Sequence, residues 1–298
     1  MRIGIDLGGT KITAIAIDSA GRECFRQRLL SPPDYSGLLE SLQQLVDKIE
    51  DSLACSCTVG LGTPGSISSV SGTMKNCNSS YLNGRTLKQD IESALGREVR
   101  VANDANCFAL SEATDGAAKD VDVVFAVILG TGVGGGLVVN GHSLLGPNSI
   151  AGEWGHNPLP GLGLEFENEH RACYCGRENC IETYLSGPGL STSYQLRYGK
   201  RLAALDIARS AQAGEPAALE LIGLYQRQLA MGLSVVINIV DPDIVVLGGG
   251  VSNISSLYSV VPELWKRSVF SDRVETRLLP ALYGDDSGVR GAAWLWSA

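Results

Sequence analysis

The sequence predicts an α/β protein of two domains, each organised around a strand, a glycine-rich turn and a second strand. Three observations carry this prediction. Ile3 to Asp18 reads IGIDLGGTKITAIAID, and Val123 to Val139 reads VVFAVILGTGVGGGLVV, so the same unit occurs twice. Amphipathic helical stretches and short apolar strands fill the chain around them. A length of 298 residues favours two domains over one.

In the first unit Ile3, Ile5 and Leu7 alternate with Gly4 and Asp6, and β-branched residues continue the pattern after the turn. Gly8 and Gly9 allow close backbone approach, and Thr10 and Lys11 add a hydroxyl and a charge. This is a cradle for a polyphosphate, with Asp6 placed to hold a hydrated Mg²⁺; an ordinary hairpin turn is the competing reading. A third strand is expected over Cys24 to Leu29, broken by Pro32 and Pro33. Leu38, Leu39, Leu42, Leu45, Val46, Ile49 and Leu53 recur at helical spacing, predicting a helix over Ser36 to Leu53. Thr58 to Gly62 reads as a buried strand. It ends in Gly62-Thr63-Pro64-Gly65-Ser66, where small residues leave room for a ligand. Asn76, Asn78, Ser79 and Asn83 suit either turns or a polyol. A helix carrying Leu87, Ile91 and Leu95 is stopped by Gly96. A strand from Glu98 to Val101 then leads through Asn103 and Asp104 into a helix reaching about Thr114. Asp104 lies at a strand-to-helix junction, where it serves as an N-cap or as a general base.

The composition changes at Ala117 to Asp122, which sets the expected domains at 1–118 and 119–298, the final helix 288–298 packing back on the first. Gly130, Gly132 and Gly135 form a G-x-G-x-x-G, but a dinucleotide fingerprint opens a helix and this one continues as a strand. No Walker signature occurs. Two glycine hairpins then suit one nucleotide gripped from both sides. Further on, Cys173, Cys175 and Cys180 cluster, and C-x-C with a third Cys converges on one ion. A Cys₃His set is a closed tetrahedral zinc site, with His156 and His170 both eligible as the fourth ligand. Glu153 and Glu182 flank it. Pro216 to Val240 reads as one long apolar helix, and Asp243 to Gly250 as a strand ending in Gly248, Gly249 and Gly250, against which a flat base can lie.

A formal net charge of −8 and the lack of a basic run argue against a nucleic-acid partner or an anionic membrane surface. No apolar run is long enough to span a bilayer, and no leader pattern precedes the first strand. The eight cysteines are therefore expected in a reducing cytoplasm, as metal ligands or buried thiols.

The motifs IGIDLGGTK, GTPGSIS, VANDANC, LGTGVGGG, GEWGH, CYCGRENCIE and DPDIVVLGGGVSN together resemble the ROK family of bacterial sugar kinases. The likeness spans essentially the whole chain. It implies a two-domain actin/hexokinase-like (ribonuclease H-like) ATPase fold with an interdomain cleft and a zinc-binding insertion over 156–180. It implies ATP, Mg²⁺ and structural zinc as cofactors, a hexose as substrate and a homodimer. Asp104 is then the base for the 6-hydroxyl, which makes the cap secondary. The sugar meets Gly65, Asn103, Asp104, Glu153, His156 and Glu182. Gly8, Gly9, Thr10 and Lys11 hold the ATP phosphates with Thr131, Gly132, Val133 and Gly134, while Gly248 to Gly250 face the adenosine. Asp6 and Asp104 border the Mg²⁺. The resemblance also selects His156 over His170 as the zinc ligand with Cys173, Cys175 and Cys180. NCNSSYLNG, GEWGHNPLP and GVRGAAWLW look closest to the fructokinase (mannokinase) branch, so fructose is the expected sugar. A glucokinase or N-acetylhexosamine kinase is the alternative, and a sugar-sensing regulator a remote one. Glu178-Asn179 departs from the family's usual pair ending in Gly, without removing a ligand.

Overall fold

The computed structural model describes residues 1–77, 79–161 and 170–296. Asn78, the stretch 162–169 of the expected zinc loop, and Ser297 and Ala298 of the expected final helix lie outside the described residues. By its contacts the chain forms two compact units. One comprises Met1–Asp120, Gly136–Ala151 and Asp285–Ala298, the other Val121–Gly135 and Gly152–Gly284. By its contacts the segment Gly136–Ala151 also belongs to the first unit.

The chain begins with β1 (Arg2–Leu7), β2 (Lys11–Ile17), β3 (Glu23–Leu30), α1 (Tyr35–Leu53) and β4 (Thr58–Thr63). The ribbon β5 (Ser66–Ile67) and β6 (Met74–Lys75) precedes α2 (Leu87–Leu95), β7 (Val99–Asn103) and α3 (Asp104–Thr114). Next come β8 (Val123–Leu129), β9 (Val133–Val139) and β10 (His142–Ser143). They are followed by α4 (Glu182–Leu185), α5 (Gly187–Tyr198), α6 (Ala204–Gln212) and α7 (Pro216–Val240). The chain closes with β11 (Ile244–Gly248), α8 (Leu257–Trp265), β12 (Arg277–Pro280) and α9 (Ser287–Trp294). Two five-stranded sheets have the orders β3-β2-β1-β4-β7 and β10-β9-β8-β11-β12.

Local chemistry accounts for most of these boundaries. Asp34 caps α1 by accepting the Gly37 N–H at 2.8 Å, and Ala54 ends it in the left-handed region. Pro216 opens α7, where its missing N–H costs nothing. In the first sheet β1, β4 and β7 are parallel, with α1 and α2 in the connections that parallel strands require. One face of that sheet buries Ile3, Ile5, Leu7, Ala14 and Ala16 with Leu38, Leu42, Leu45, Val46 and Ile49 of α1.

Alternation along β2 alone would leave its second face to solvent. Instead Ile15 and Ile17 are also buried, against Leu110 of α3 and Val289, Ala293 and Trp294 of α9. Helix α9 comes close enough to exclude side chains beneath it. A Cβ at Gly60 would lie 1.9 Å from the Ala292 carbonyl oxygen, and one at Gly291 would lie 1.6 Å from that of Cys107. No helix among the described residues is long and apolar enough to cross a membrane.

Parallel pairing places the chemistry. Asp6 is in register with Gly62, and Thr63 with Asn103, so the carboxyl ends of β1, β4 and β7 share one edge. In the second unit β8 and β11 are parallel, with Ile128 opposite Gly248. The second glycine turn and Gly248–Gly250 therefore leave their sheet at the same end, where open α/β sheets receive ligands.

Candidate active site

In the first unit Asn103, not Asp104, is the N-cap of α3. Its side-chain oxygen accepts the Ala105 N–H at 2.9 Å, and its amide donates to the Gly65 carbonyl at 3.0 Å. One asparagine thus ties the ends of β4 and β7 together. Asp104 is the first helical residue and is exposed, with Oδ1 accepting the Ala105 N–H at 2.7 Å. The cap expected of Asp104 is corrected here: Asn103 has the extended backbone a cap needs. Asp104 keeps a carboxylate at a helix N-terminus, where the backbone dipole favours its charge.

Burial, and then the negative charge of Asp104, push the Asp6 carboxyl up to about 6 from its ordinary 3.8. Cys107 is fully buried beside them, and burial with both carboxylates raises its thiol well above the usual range. Two carboxylates that disfavour each other's charge form a donor set that a divalent cation relieves, which fits Mg²⁺. The unfolded chain ionises Asp6 more readily than the folded one. The carboxylate therefore destabilises the cation-free fold as pH rises from about 4 to 6, reaching about 3 kcal/mol above that window. Asp6→Asn should accordingly unfold at higher urea than the wild type at pH 7.5 without Mg²⁺, the gain vanishing below about pH 4. An unchanged urea midpoint at pH 7.5 would remove this account.

The first glycine turn is held from behind. The Ser31 hydroxyl donates to the Gly8 carbonyl at 2.7 Å, and the Ser31 N–H donates to that of Thr10 at 3.0 Å. Gly9, Thr10 and Lys11 are left on the exposed side.

In the second unit His156, Cys173, Cys175 and Cys180 bring one ligand atom each within 4.8 Å of one another. Cys175 Sγ lies 3.7 Å from Cys180 Sγ, and Cys173 Sγ 3.6 Å from His156 Nδ1. Tetrahedral zinc with bonds of about 2.0–2.3 Å separates such atoms by roughly 3.5–3.8 Å, so the residues present fit that ion. Burial raises the Cys175 thiol, but the Arg177 side chain and backbone outweigh it, leaving it lowered to about 6 and ready to ligate. His170 instead pairs with Glu178 at 3.0 Å on the surface. The choice is made by chain pairing: antiparallel bridges Pro158–Cys180 and Ala172–Glu178 fold the distant His156 back onto the cysteines.

The unusual Asn179 is accommodated. It takes a positive φ of 56°, which Asn tolerates in place of Gly, and its side-chain oxygen accepts from the Arg171 N–H and the Tyr184 hydroxyl. Arg171, buried, donates to the Thr183 carbonyl at 2.8 Å and to Ser193 Oγ at 3.1 Å, and lies over the Tyr184 ring. It fastens the cysteine turn to α4 and α5. Glu182 opens α4, and its Oε2 accepts the Val133 N–H at 3.0 Å while the Cys173 thiol lies 3.8 Å from Oε1. A Cβ at Gly132 would meet that carboxylate at 2.5 Å. The second glycine turn and the cysteine cluster are thus joined through Glu182. Glu153 is exposed just before the short turn that carries His156.

Arg171 had no motif of its own in the sequence, and Tyr174, inside CYCGRENCIE, was given no role there. Nor did the sequence mark a cavity of about 860 Å³ in the second unit, lined by Thr131, Gly187, Ser191, Arg201, Ala204 and Gly250 among others. Of the predicted nucleotide residues it includes Thr131 and Gly250, whereas Gly132, Val133, Gly134, Gly248 and Gly249 lie outside its lining. The cavity has the size of a small-molecule site, and its other walls come from the end of β8, from α5, α6 and the loop between them, and from the segment after β11.

The fold is that of the hexokinase-like α/β sugar kinases. A ROK hexokinase from Thermus thermophilus superposes with a TM-score of 0.86 at 31% identity, covering 98% of this chain and 96% of that one. A ROK family glucokinase from Streptomyces griseus, in complex with glucose and AMPPNP, superposes at 0.77 with 27% identity, covering 99% and 98%. The sequence profile of the ROK family matches residues 2–298, and the chain belongs to that family. Among curated proteins it is 38% identical to the N-acetyl-D-glucosamine kinase of Photobacterium profundum, over 99% of both chains. That relative is named for the alternative substrate class, an N-acetylhexosamine, and not for the fructose expected from the sequence. A hexose pocket discriminates through a few contacts that short motifs do not encode.

Proposed function

We propose that this ROK-family sugar kinase transfers the γ-phosphoryl group of ATP to the 6-hydroxyl of N-acetyl-D-glucosamine. The observation that carries the reading is the full-length likeness to an N-acetyl-D-glucosamine kinase. The two carboxylates at the ends of β1 and β7 and the two glycine turns supply the chemistry phosphoryl transfer requires.

In this reading Asp104 accepts the proton of the attacking hydroxyl, and Asn103, fixed by Gly65 and Ala105, orients the sugar beside it. Glu153, His156 and Glu182 bind ring hydroxyls. Gly8 to Lys11 and Thr131 to Gly134 receive the phosphates, and Gly248 to Gly250 face the adenosine. Asp6 and Asp104 would hold Mg²⁺, which when bound neutralises charge on the transferring phosphates. Zinc held by His156, Cys173, Cys175 and Cys180 would be structural, since four protein ligands close its shell. It would fix the His156 ring through Nδ1 and leave Nε2 for a hydroxyl.

The deciding experiment ranks kcat/KM for N-acetylglucosamine, N-acetylmannosamine, glucose, mannose and fructose, following ADP release with ATP and Mg²⁺. N-acetylglucosamine should lead by at least about tenfold. Fructose in first place would restore the fructokinase branch, and no turnover with any sugar would end the kinase reading.

A further inference from the structure

Tyr174 lies between two members of the metal cluster, Cys173 and Cys175, so a bound metal would brace its backbone from both sides. The ring is 74% exposed. It meets the His156 ring edge-on, with centroids 5.2 Å apart. Its hydroxyl turns inward to lie 3.0 Å from His156 Nε2. A phenol hydroxyl both donates and accepts hydrogen bonds. The hydroxyl therefore stands beside His156, one of the three groups assigned above to sugar hydroxyls.

Carboxylates and an imidazole recognise hydroxyls; they have nothing to offer a methyl group. Trp154 and Ile181, next in the chain to Glu153 and Glu182, are buried. Tyr174 brings an exposed apolar ring to this polar cluster. An acetamido sugar differs from its parent hexose by an amide, which needs a hydrogen-bond partner, and by a methyl, which gains from apolar contact. A tyrosine supplies both from one rigid side chain.

We propose that Tyr174 is a specificity-determining residue that recognises the acetamido group: its ring packs against the methyl and its hydroxyl bonds the amide. The inference rests on the N-acetylglucosamine reading and names the residue that enforces it.

The test compares wild type, Tyr174→Phe and Tyr174→Ala. It measures binding of N-acetylglucosamine and glucose by calorimetry, kcat/KM for both sugars, and bound zinc. Tyr174→Ala should lower the preference for N-acetylglucosamine over glucose at least about tenfold in both binding and kcat/KM, and Tyr174→Phe should lower it less. An unchanged preference in Tyr174→Ala, or an equal loss for both sugars, overturns the assignment. If Tyr174→Ala loses its metal, Tyr174→Phe decides alone. A fall in preference of about threefold or more, the scale of one hydrogen bond, then supports the assignment, and no fall overturns it. A wild type without preference for the acetamido sugar would instead overturn the substrate reading itself, a result visible before any variant is made.

Discussion

Asp104→Asn should fold like the wild type and turn over at least about 10²-fold more slowly. Asp104 is exposed at the first turn of α3, and its Oδ1 accepts the Ala105 N–H, a bond that an asparagine carbonyl can keep. The helix remains capped by Asn103. What the substitution removes is the group that accepts a proton. KM for the sugar should therefore move much less than kcat, and the melting temperature should stay within a few degrees. A second readout follows from the neighbouring carboxylate. The charge of Asp104 helps raise Asp6, so Asp6 should titrate lower in the variant. Near-normal kcat would remove Asp104 from the chemistry. An unmoved Asp6 titration would mean that the two carboxylates do not sense each other.

Cys175→Ser should abolish stoichiometric zinc, lower the melting temperature by several degrees and raise the sugar KM by at least about tenfold, the usual scale for disturbed metal sites. The expected size reflects what the cluster holds together. Cys173 touches both His156 and Glu182, and Glu182 in turn accepts from the Val133 N–H of the second glycine turn. Without the ion, thiols that avoid one another's charge have no reason to stay packed, and metal binding free energy is lost from the fold. Chelator treatment of the wild type should produce the same changes, and added zinc should reverse them. A zinc-free variant with full activity and an unshifted melting curve would show that the cluster is not a metal site.

Much of this architecture was legible along the chain. The first hairpin follows from period-two alternation and two glycines, and α7 runs from Pro216 to Val240 as the uninterrupted apolar pattern and its flanking prolines require. The G-x-G-x-x-G of the second turn continues as strand β9, as its β-branched and small residues indicate. Three of the four members of the Cys/His cluster are neighbours in the sequence, so their cysteine spacing was readable along the chain.

The fourth was not readable from spacing. His170 is nearer in sequence, and His156 reaches the cysteines because two isolated bridges fold 158 onto 180 and 172 onto 178. The cap of α3 went to Asn103 because strand β7 runs on two residues past Val101, to Asn103, so that the helix starts at Asp104. Burial of both faces of β2 depended on α9, which lies at the far end of the chain. The cavity in the second unit and the contact of Tyr174 with His156 had no local signature either.

By itself, then, the sequence determined the features that depend on neighbours in the chain: strand and helix periods, turn glycines, the cysteine triplet, and the residues at the carboxyl ends of strands. Only the tertiary structure decided which histidine joins the cysteines, which residue caps α3, what covers the second face of the sheet, and which aromatic ring stands beside His156. Those outcomes are set by distances of a few ångströms between residues far apart in sequence. Local propensity carries no information about such distances until the chain is folded.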